Sequence, residues 1–357
     1  MASPESTSHL TLRIIDANLD RIGEGLRLLE DVARLLLNDS ALTQQLKTMR
    51  HELLHGDWQF HRQLLQSRDS EGDVGINIEA RGEERQRELP IAVMANARRV
   101  QESLRVMEEL AKIPDTTPQL DTEKFKQARF KLYSIEQKLL SKLQRRDKIK
   151  CISGLYVIID SETLKGRNPV EAASKAIRGG GARTIQLRDK QSSKKELLST
   201  AQQLKKLCAE NNVLFIVNDY LDLALATDVD GLHLGQDDLP TKVARKLLPL
   251  DKILGSSVAT VGQAIAAESE GADYIAVSSI YPTSSKEMEK VVGLDRLVEI
   301  RQRVTLPLVA IGGITQDNVD DVIAAGADSV AVISAVLEAE DIEKAAHQIV
   351  ERLGLPK

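Results

Sequence analysis

LYVII, Leu155 to Ile159, is the first of several short β-branched runs in the second half of the chain, followed by LFIV (Leu214 to Val217), YIAV (Tyr274 to Val277), LVAI (Leu308 to Ile311) and VAVI (Val330 to Ile333). Each is too short for a helix, and amphipathic stretches such as Lys194 to Asn211 and Leu294 to Val304 lie between them. That alternation builds a parallel sheet with helical crossovers. With the weaker runs included, strands are expected at about 154–160, 183–188, 214–218, 231–235, 253–258, 274–280, 308–313 and 329–334. Such a series fits a (β/α)8 TIM barrel of roughly 200 residues. A doubly wound sheet would gather its polar groups at one switch point, whereas here polar residues end strands all round the series.

At 357 residues the chain exceeds one ordinary core. Its composition changes near residue 145, so we expect an all-α helical-bundle domain at 1–145 and the barrel at 151–357, divided by the charged stretch QRRDKIK (Gln144 to Lys150). Lys and Arg total 48 against 53 Asp and Glu, a net charge of −5 that argues against a nucleic-acid or membrane-surface partner. Met1 to His9 lack an apolar signal region, and no run of about 18 apolar residues occurs. The expected setting is cytoplasmic. Cys151 and Cys208 have no metal-type spacing and no disulfide framework.

The first half contains an internal repeat. ANLDRIGEGLRLLEDVAR (Ala17 to Arg34) matches ANARRVQESLRVMEELAK (Ala95 to Lys112), and LKTMRHEL (Leu46 to Leu53) matches FKQARFKL (Phe125 to Leu132). Two helical hairpins therefore predict a pseudo-symmetric four-helix bundle, each burying a stripe such as Ile22, Leu26 and Leu29. Asn18 with Arg21, and Asn96 with Arg99, border that stripe and are candidates for a polar site. The plainer expectation is that Arg21, Glu24, Arg27 and Glu30 form weak ion pairs on a solvated face. His51, His55 and His61 cluster in sequence without a recognised metal-ligand spacing. The bundle is also compatible with a dimerisation module and hence a homo-oligomer.

All strand C-termini of such a barrel open onto one mouth. Four stretches then converge: QLRDK (Gln186 to Lys190), VNDY (Val217 to Tyr220), HLGQDD (His233 to Asp238) and IYPTSSK (Ile280 to Lys286). Asp219 and Asp238, after neighbouring strands, are hard oxygen donors suited to Mg²⁺ that keeps water and phosphate oxygens in its shell; Asp237 competes with Asp238. Arg188 and Lys190 share a strand face and supply a forked and a point-like cation for phosphate, with Asp189 between them pointing away. Gln186 and Asn218 offer amides that orient a heteroaromatic ring. Thr283, Ser284, Ser285 and Lys286 suit a phosphate. Gly312 and Gly313, before Thr315-Gln316-Asp317, predict a backbone phosphate cradle, completed by Ile333 and Ser334. Two anion sites in one mouth point to a transferase from which diphosphate departs. His233 is expected to pack or hydrogen-bond inside the barrel, and the strand ends show no serine–histidine arrangement.

QLRDK, ND, GLHLGQDD, GSS, PTSSK, IGGIT and VISA occur in the order and spacing of thiamine phosphate synthases, and residues 151–354 resemble that family. The resemblance implies a transferase joining hydroxymethylpyrimidine diphosphate to a thiazole phosphate, with release of diphosphate after early C–O cleavage. It implies Gln186, Leu187, Arg188, Asp189, Lys190, Asn218, Ser257 and Lys286 at the pyrimidine diphosphate, with Arg188, Lys190 and Lys286 catalytic. Asp219 and Asp238 would hold Mg²⁺, and Thr283, Ser284, Ser285, Gly313, Ile333 and Ser334 the thiazole phosphate. The family has a second threonine where Ser285 stands and G-V-S where Gly255-Ser256-Ser257 stands; register selects Ser257. A regulatory relative shares the barrel without synthase activity, so a non-catalytic phosphate-ligand sensor is the alternative. The first half resembles the domain preceding some cyanobacterial synthases, related to hydroxymethylpyrimidine phosphate kinases, although it has no GxxxxGK[ST] loop.

Overall fold

The computed structural model describes residues 4–55, 58–69, 73, 88–113, 120–283 and 291–354. It separates into two compact units, Met1–Gln144 and Arg145–Lys357. Among the described residues no helix is long and apolar enough to cross a membrane.

The first unit is helical: α1 (Pro4–Asp31), α2 (Ser40–Leu54), α3 (Trp58–Ser67), α4 (Leu89–Leu110) and α5 (Thr122–Lys150). The repeat places α1 and α4 as equivalents, with α2 and α5 as their partners and α3 inserted between the hairpins. Ile22, Leu26, Leu29, Val100, Leu104 and Leu132 are fully buried in one core. Gly25 lets α1 and α4 approach closely, since a Cβ there would stand 2.3 Å from Val100 Cγ2.

The repeat's polar residues serve this packing. Glu30 is not on a solvated face but buried, bonded to Arg50 Nε at 3.0 Å. Its repeat equivalent Glu108 is bonded to Arg129 Nε at 2.5 Å. The expected Asn and Arg site does not form. Asn18 and Asn96 each donate to the carbonyl one turn back, Ile14 and Ala92, both at 2.8 Å, while Arg21 and Arg99 are exposed. Each pair joins consecutive helices of one hairpin, so the helical wheel of a single segment could not reveal it.

QRRDKIK, read as the charged stretch dividing the two domains, is helical to Lys150. Its charges are anchors in the second unit. Arg145 donates to Asp273 Oδ1 at 2.9 Å and to the Leu250 carbonyl at 2.9 Å; Arg245 reaches Asp273 Oδ2 at 3.1 Å. Burial, and then the Arg145 charge, bring Arg245 down to about 10.

In the second unit β1 (Gly154–Asp160), β2 (Thr184–Arg188), β3 (Leu214–Asn218), β4 (Gly231–Leu234), β5 (Ile253–Val258), β6 (Tyr274–Val277), β7 (Leu308–Ile311) and β8 (Ser329–Val332) close into a parallel barrel in sequence order. The last three strands end earlier than expected. After β7 the chain turns through Gly312 at φ +105° and Gly313 at φ +63°, and Ile333 already caps the helix Ser334–Leu337. Helices between the strands are set by local signals, such as the Ser193 and Glu196 capping box at Lys194–Glu210 and Asn168 before Pro169. Alternation sends Leu155, Val157, Ile185, Leu187 and Val217 outward under the helices, and Tyr156, Ile158, Ile216, Tyr274 and Ala331 into the barrel.

Removing one partner of a buried ion pair costs about 3 kcal/mol, whereas replacing both by apolar groups costs much less. Arg129→Ala is therefore expected to speed hydrogen exchange in α4 and α5 by about a hundredfold, and the pair Glu108→Leu, Arg129→Met to restore most of the protection. Equal exchange in all three proteins would show that the pair does not support the bundle.

Candidate active site

Two cavities lie among the C-terminal strand ends. The larger, about 500 Å³, is lined by Arg188, Lys190, Asn218, Asp219, Asp238 and Ser257, with Gln236, Ser278 and Arg296 on its walls. The smaller, about 60 Å³, is lined by Thr283, Gly312, Gly313, Ile333, Ser334 and again Ser257. Ser284, Ser285 and Lys286 lie outside the described residues.

Asp219 sits in the left-handed region at φ +62°, which short polar side chains tolerate best. Its N–H donates to the His233 carbonyl at 2.9 Å, tying the ends of β3 and β4 together and bringing its carboxyl against that of Asp238. Burial first, and then the neighbouring Asp238, push Asp219 up to about 6 against the pull of Lys190. Burial opposes ionisation of Asp238 too, yet its hydrogen bonds with Asp219 and the Gly235 N–H, the latter 2.7 Å, bring it below the usual carboxylate value. Lys190 Nζ stands 3.3 Å from Asp219. Asp237 is exposed beside them.

Arg188 is held by a residue the sequence reading missed. The β1–β2 register sets Asp160 beside it, and the buried Asp160 Oδ2 accepts from Arg188 Nη1. Asp160 Oδ1 accepts from Thr163 N at 2.9 Å and Thr163 Oγ1 at 2.8 Å, so the carboxylate is clamped and aims the guanidinium. The available signal was an acidic residue at the end of LYVIID, the strand adjacent to QLRDK.

Some expectations need correction. The Leu187 side chain points outward into the layer under the helices. Asp189 caps its own loop, accepting from Gln191 N at 2.9 Å and Ser192 N at 3.0 Å. Neither lines either of these two cavities. The expected cradle after β7 is partly spent, because Thr315 N–H donates to Asn318 Oδ1 at 2.9 Å and Asp317 N–H to Thr315 Oγ1 at 3.3 Å. Gly313 keeps its place, since a Cβ there would stand 2.5 Å from the Pro282 carbonyl. A serine–histidine contact does exist: His233 Nε2 lies 2.9 Å from Ser257 Oγ. The other ring nitrogen, however, meets Tyr274 OH at 3.0 Å rather than a carboxylate. Ser256 faces away, toward Thr241 Oγ1 at 3.4 Å. Gln186 is 3% exposed and lies one inward position below Arg188, at the floor of the mouth.

In the helical unit, His55 and His61 line a cavity of about 300 Å³ with Leu53, Phe60 and Lys124, and His51 does not. Among the described residues no group of three His, Cys, Asp or Glu is arranged to hold a metal ion.

Residues 155–336 match the family model described as thiamine monophosphate synthase, and residues 13–138 match that of the ThiD2 family. The thiamine-phosphate synthase of Thermosynechococcus vestitus is 38% identical over 99% of this chain and 97% of its own length. That of Nostoc punctiforme is 38% identical over 94% and 92%. The chain belongs to the thiamine-phosphate synthase family. A solved thiamine phosphate pyrophosphorylase from Pyrococcus furiosus is 39% identical with a TM-score of 0.53, covering 58% of this chain and 98% of that one. As a thiamine-phosphate synthase the chain is a transferase of thiamine biosynthesis acting on small molecules, and its barrel is the synthase part.

Asp160→Asn keeps an oxygen for Thr163 but loses the charge that holds Arg188. Synthase kcat/KM is expected to fall about tenfold, as for loss of one charge-assisted hydrogen bond. A thermal midpoint near wild type would accompany it. Undiminished activity would mean that Arg188 is positioned without Asp160.

Proposed function

We propose that the barrel joins hydroxymethylpyrimidine diphosphate to a thiazole phosphate, with Asp219 and Asp238 holding Mg²⁺ against the departing diphosphate. The observation that carries this reading is the pairing of two carboxyl groups beside Arg188 and Lys190 in one cavity that adjoins a second, glycine-walled one. The donor set fits the ion. Two hard oxygen donors crowd together with the Lys190 ammonium beside Asp219, and they would hold the ion while leaving room for water and phosphate oxygens. When bound, Mg²⁺ neutralises phosphate charge as a Lewis acid.

The protein's own groups then have distinct tasks. Arg188 offers a planar fork, and Lys190 a point charge, to the oxygens on which negative charge grows as the C–O bond breaks. Lys286, assigned by resemblance and outside the described residues, adds a third cation. Bond breaking leaves a resonance-stabilised pyrimidine methyl cation, which the thiazole nitrogen attacks. No side-chain nucleophile is needed. The smaller cavity receives the thiazole phosphate at Thr283, Gly313, Ile333 and Ser334, with Ser284 and Ser285 assigned by resemblance, and Asn218 helps to orient the pyrimidine.

Mixing the two substrates with Mg²⁺ should release diphosphate; chelation should stop the release and added Mg²⁺ restore it. Asp238→Ala should fold normally by circular dichroism yet turn over about a hundredfold or more slowly, the scale expected for loss of a site that stabilises a leaving group. Wild-type rates from that variant would remove the metal assignment.

A further inference from the structure

A cation that no motif marks lines the larger cavity. The wall of that cavity is built from the ends of five neighbouring strands, β2 to β6, of the closed barrel. Arg188 ends β2 and Lys190 follows it, whereas Arg296, in the helix Gly293–Arg301, follows β6. The cations therefore stand at the two ends of one arc, with Asp219 and Asp238, after β3 and β4, between them. The helix is held where it is. Leu297 and Ile300 bury one of its faces fully, and the Val292 N–H at its start donates to the Ser279 carbonyl, just beyond β6, at 2.8 Å. Arg296 and Glu299 each precede a buried residue by one position, so they share the face next to the packed one.

Arg296 and Arg188 are held alike. Each gives Nη1 to a carboxylate, Arg188 to Asp160 Oδ2 and Arg296 to Glu299 Oε2, the latter at 2.7 Å. Glu299 is exposed and forms no part of the cavity wall, so the acid steadies the guanidinium without entering the cavity. An i,i+3 ion pair between exposed side chains contributes little to stability, and folding alone gives this arginine no task at the mouth. The charges there do. Asp219, Asp237 and Asp238 line the cavity against Arg188 and Lys190, and a diphosphate adds more negative charge. Such a group consists of two phosphoryl groups sharing one oxygen, and cations on a single flank face only part of its surface. A guanidinium across the arc meets the rest, and its planar fork matches a pair of phosphate oxygens.

We propose that Arg296 is a further substrate-binding residue of the synthase: its guanidinium contacts the diphosphate from the flank opposite Arg188 and Lys190. The charge that C–O cleavage leaves on the departing group is then met from both sides. This deepens the synthase reading and rests on it for the identity of the anion.

The test uses the full chain in Mg²⁺ buffer with two readouts, calorimetric titration with inorganic diphosphate and steady-state turnover. Arg296→Met should bind inorganic diphosphate about tenfold more weakly, the scale of one charge-assisted hydrogen bond. Its kcat/KM for the pyrimidine diphosphate should fall by a similar factor, with KM for the thiazole phosphate and the thermal midpoint near wild type. Arg296→Lys, which keeps the charge and loses the fork, should recover part of the affinity. Arg303→Met removes a cation from an exposed position two residues beyond the same helix and should change neither readout. Arg296→Gln gives the same measurements if Arg296→Met folds poorly. Equal diphosphate affinity in wild type and Arg296→Met, an equal loss in Arg303→Met, or no binding by the wild type would overturn the proposal. Binding that depends on Arg296 without product formation would count against the synthase substrates and leave the anion contact standing.

Discussion

A closed parallel barrel turns every second strand residue into an interior from which solvent is excluded, and a polar group placed there must find its partner inside. That constraint governs the synthase unit. Parity separates Gln186 and Arg188, which face in, from Leu187, which faces the helices. It also explains why the interior polar groups occur as connected sets: Asp160 with Arg188, and the run from Gln186 through Tyr156, Tyr274 and His233 to Ser257. An isolated amide or phenol at these depths would carry an uncompensated desolvation cost of about 1–3 kcal/mol.

The same constraint explains what the sequence disclosed. The eight-strand pattern was legible because each run is apolar, short and bounded by turn residues, and the mouth groups were legible because polar residues closed several runs in turn. Tyr156 and Tyr274 were not, since each stands inside an apolar run and reads as one more core residue. Their hydroxyls meet across 118 residues of chain. Asp160 likewise reads as the end of a strand until the β1–β2 register sets it beside Arg188. Local pattern reports which face a residue occupies, but the partner that gives a buried polar group its task comes from another strand.

The helical unit shows how a repeat can keep polar residues for folding. Glu30 with Arg50 and Glu108 with Arg129 occupy equivalent places, and each acid is held by an arginine from the next helix of its own hairpin. The wheel of a single helix showed Glu30 only its i−3 neighbour Arg27, 3.8 Å away and exposed. The stronger partner lay twenty residues on. Asn18 and Asn96 differ from them, each returning a hydrogen bond to its own helix. For these two asparagines and two glutamates, polar identity across the repeat is accounted for by packing.

The two ends of the barrel solve opposite charge problems with the same residue types. At the entry to β6, the carboxylate of Asp273 meets two guanidiniums, Arg145 and Arg245, and also accepts from the Leu254 N–H at 2.9 Å. Its partners offset much of the burial that still holds its carboxyl above the usual value. At the mouth, Asp160, Asp219 and Asp238 face Arg188 and Lys190, so the acids among these residues outnumber the bases before any phosphate arrives. Burial is the larger cause of the upward shift of Asp219, and the facing carboxyl of Asp238 adds to it. A diphosphate entering there would add further negative charge, and Asp160 engages Nη1 of the Arg188 fork. The charge left over at the mouth is thus to be met by groups beyond these five, and Arg296 on the wall of the same cavity is one such cation.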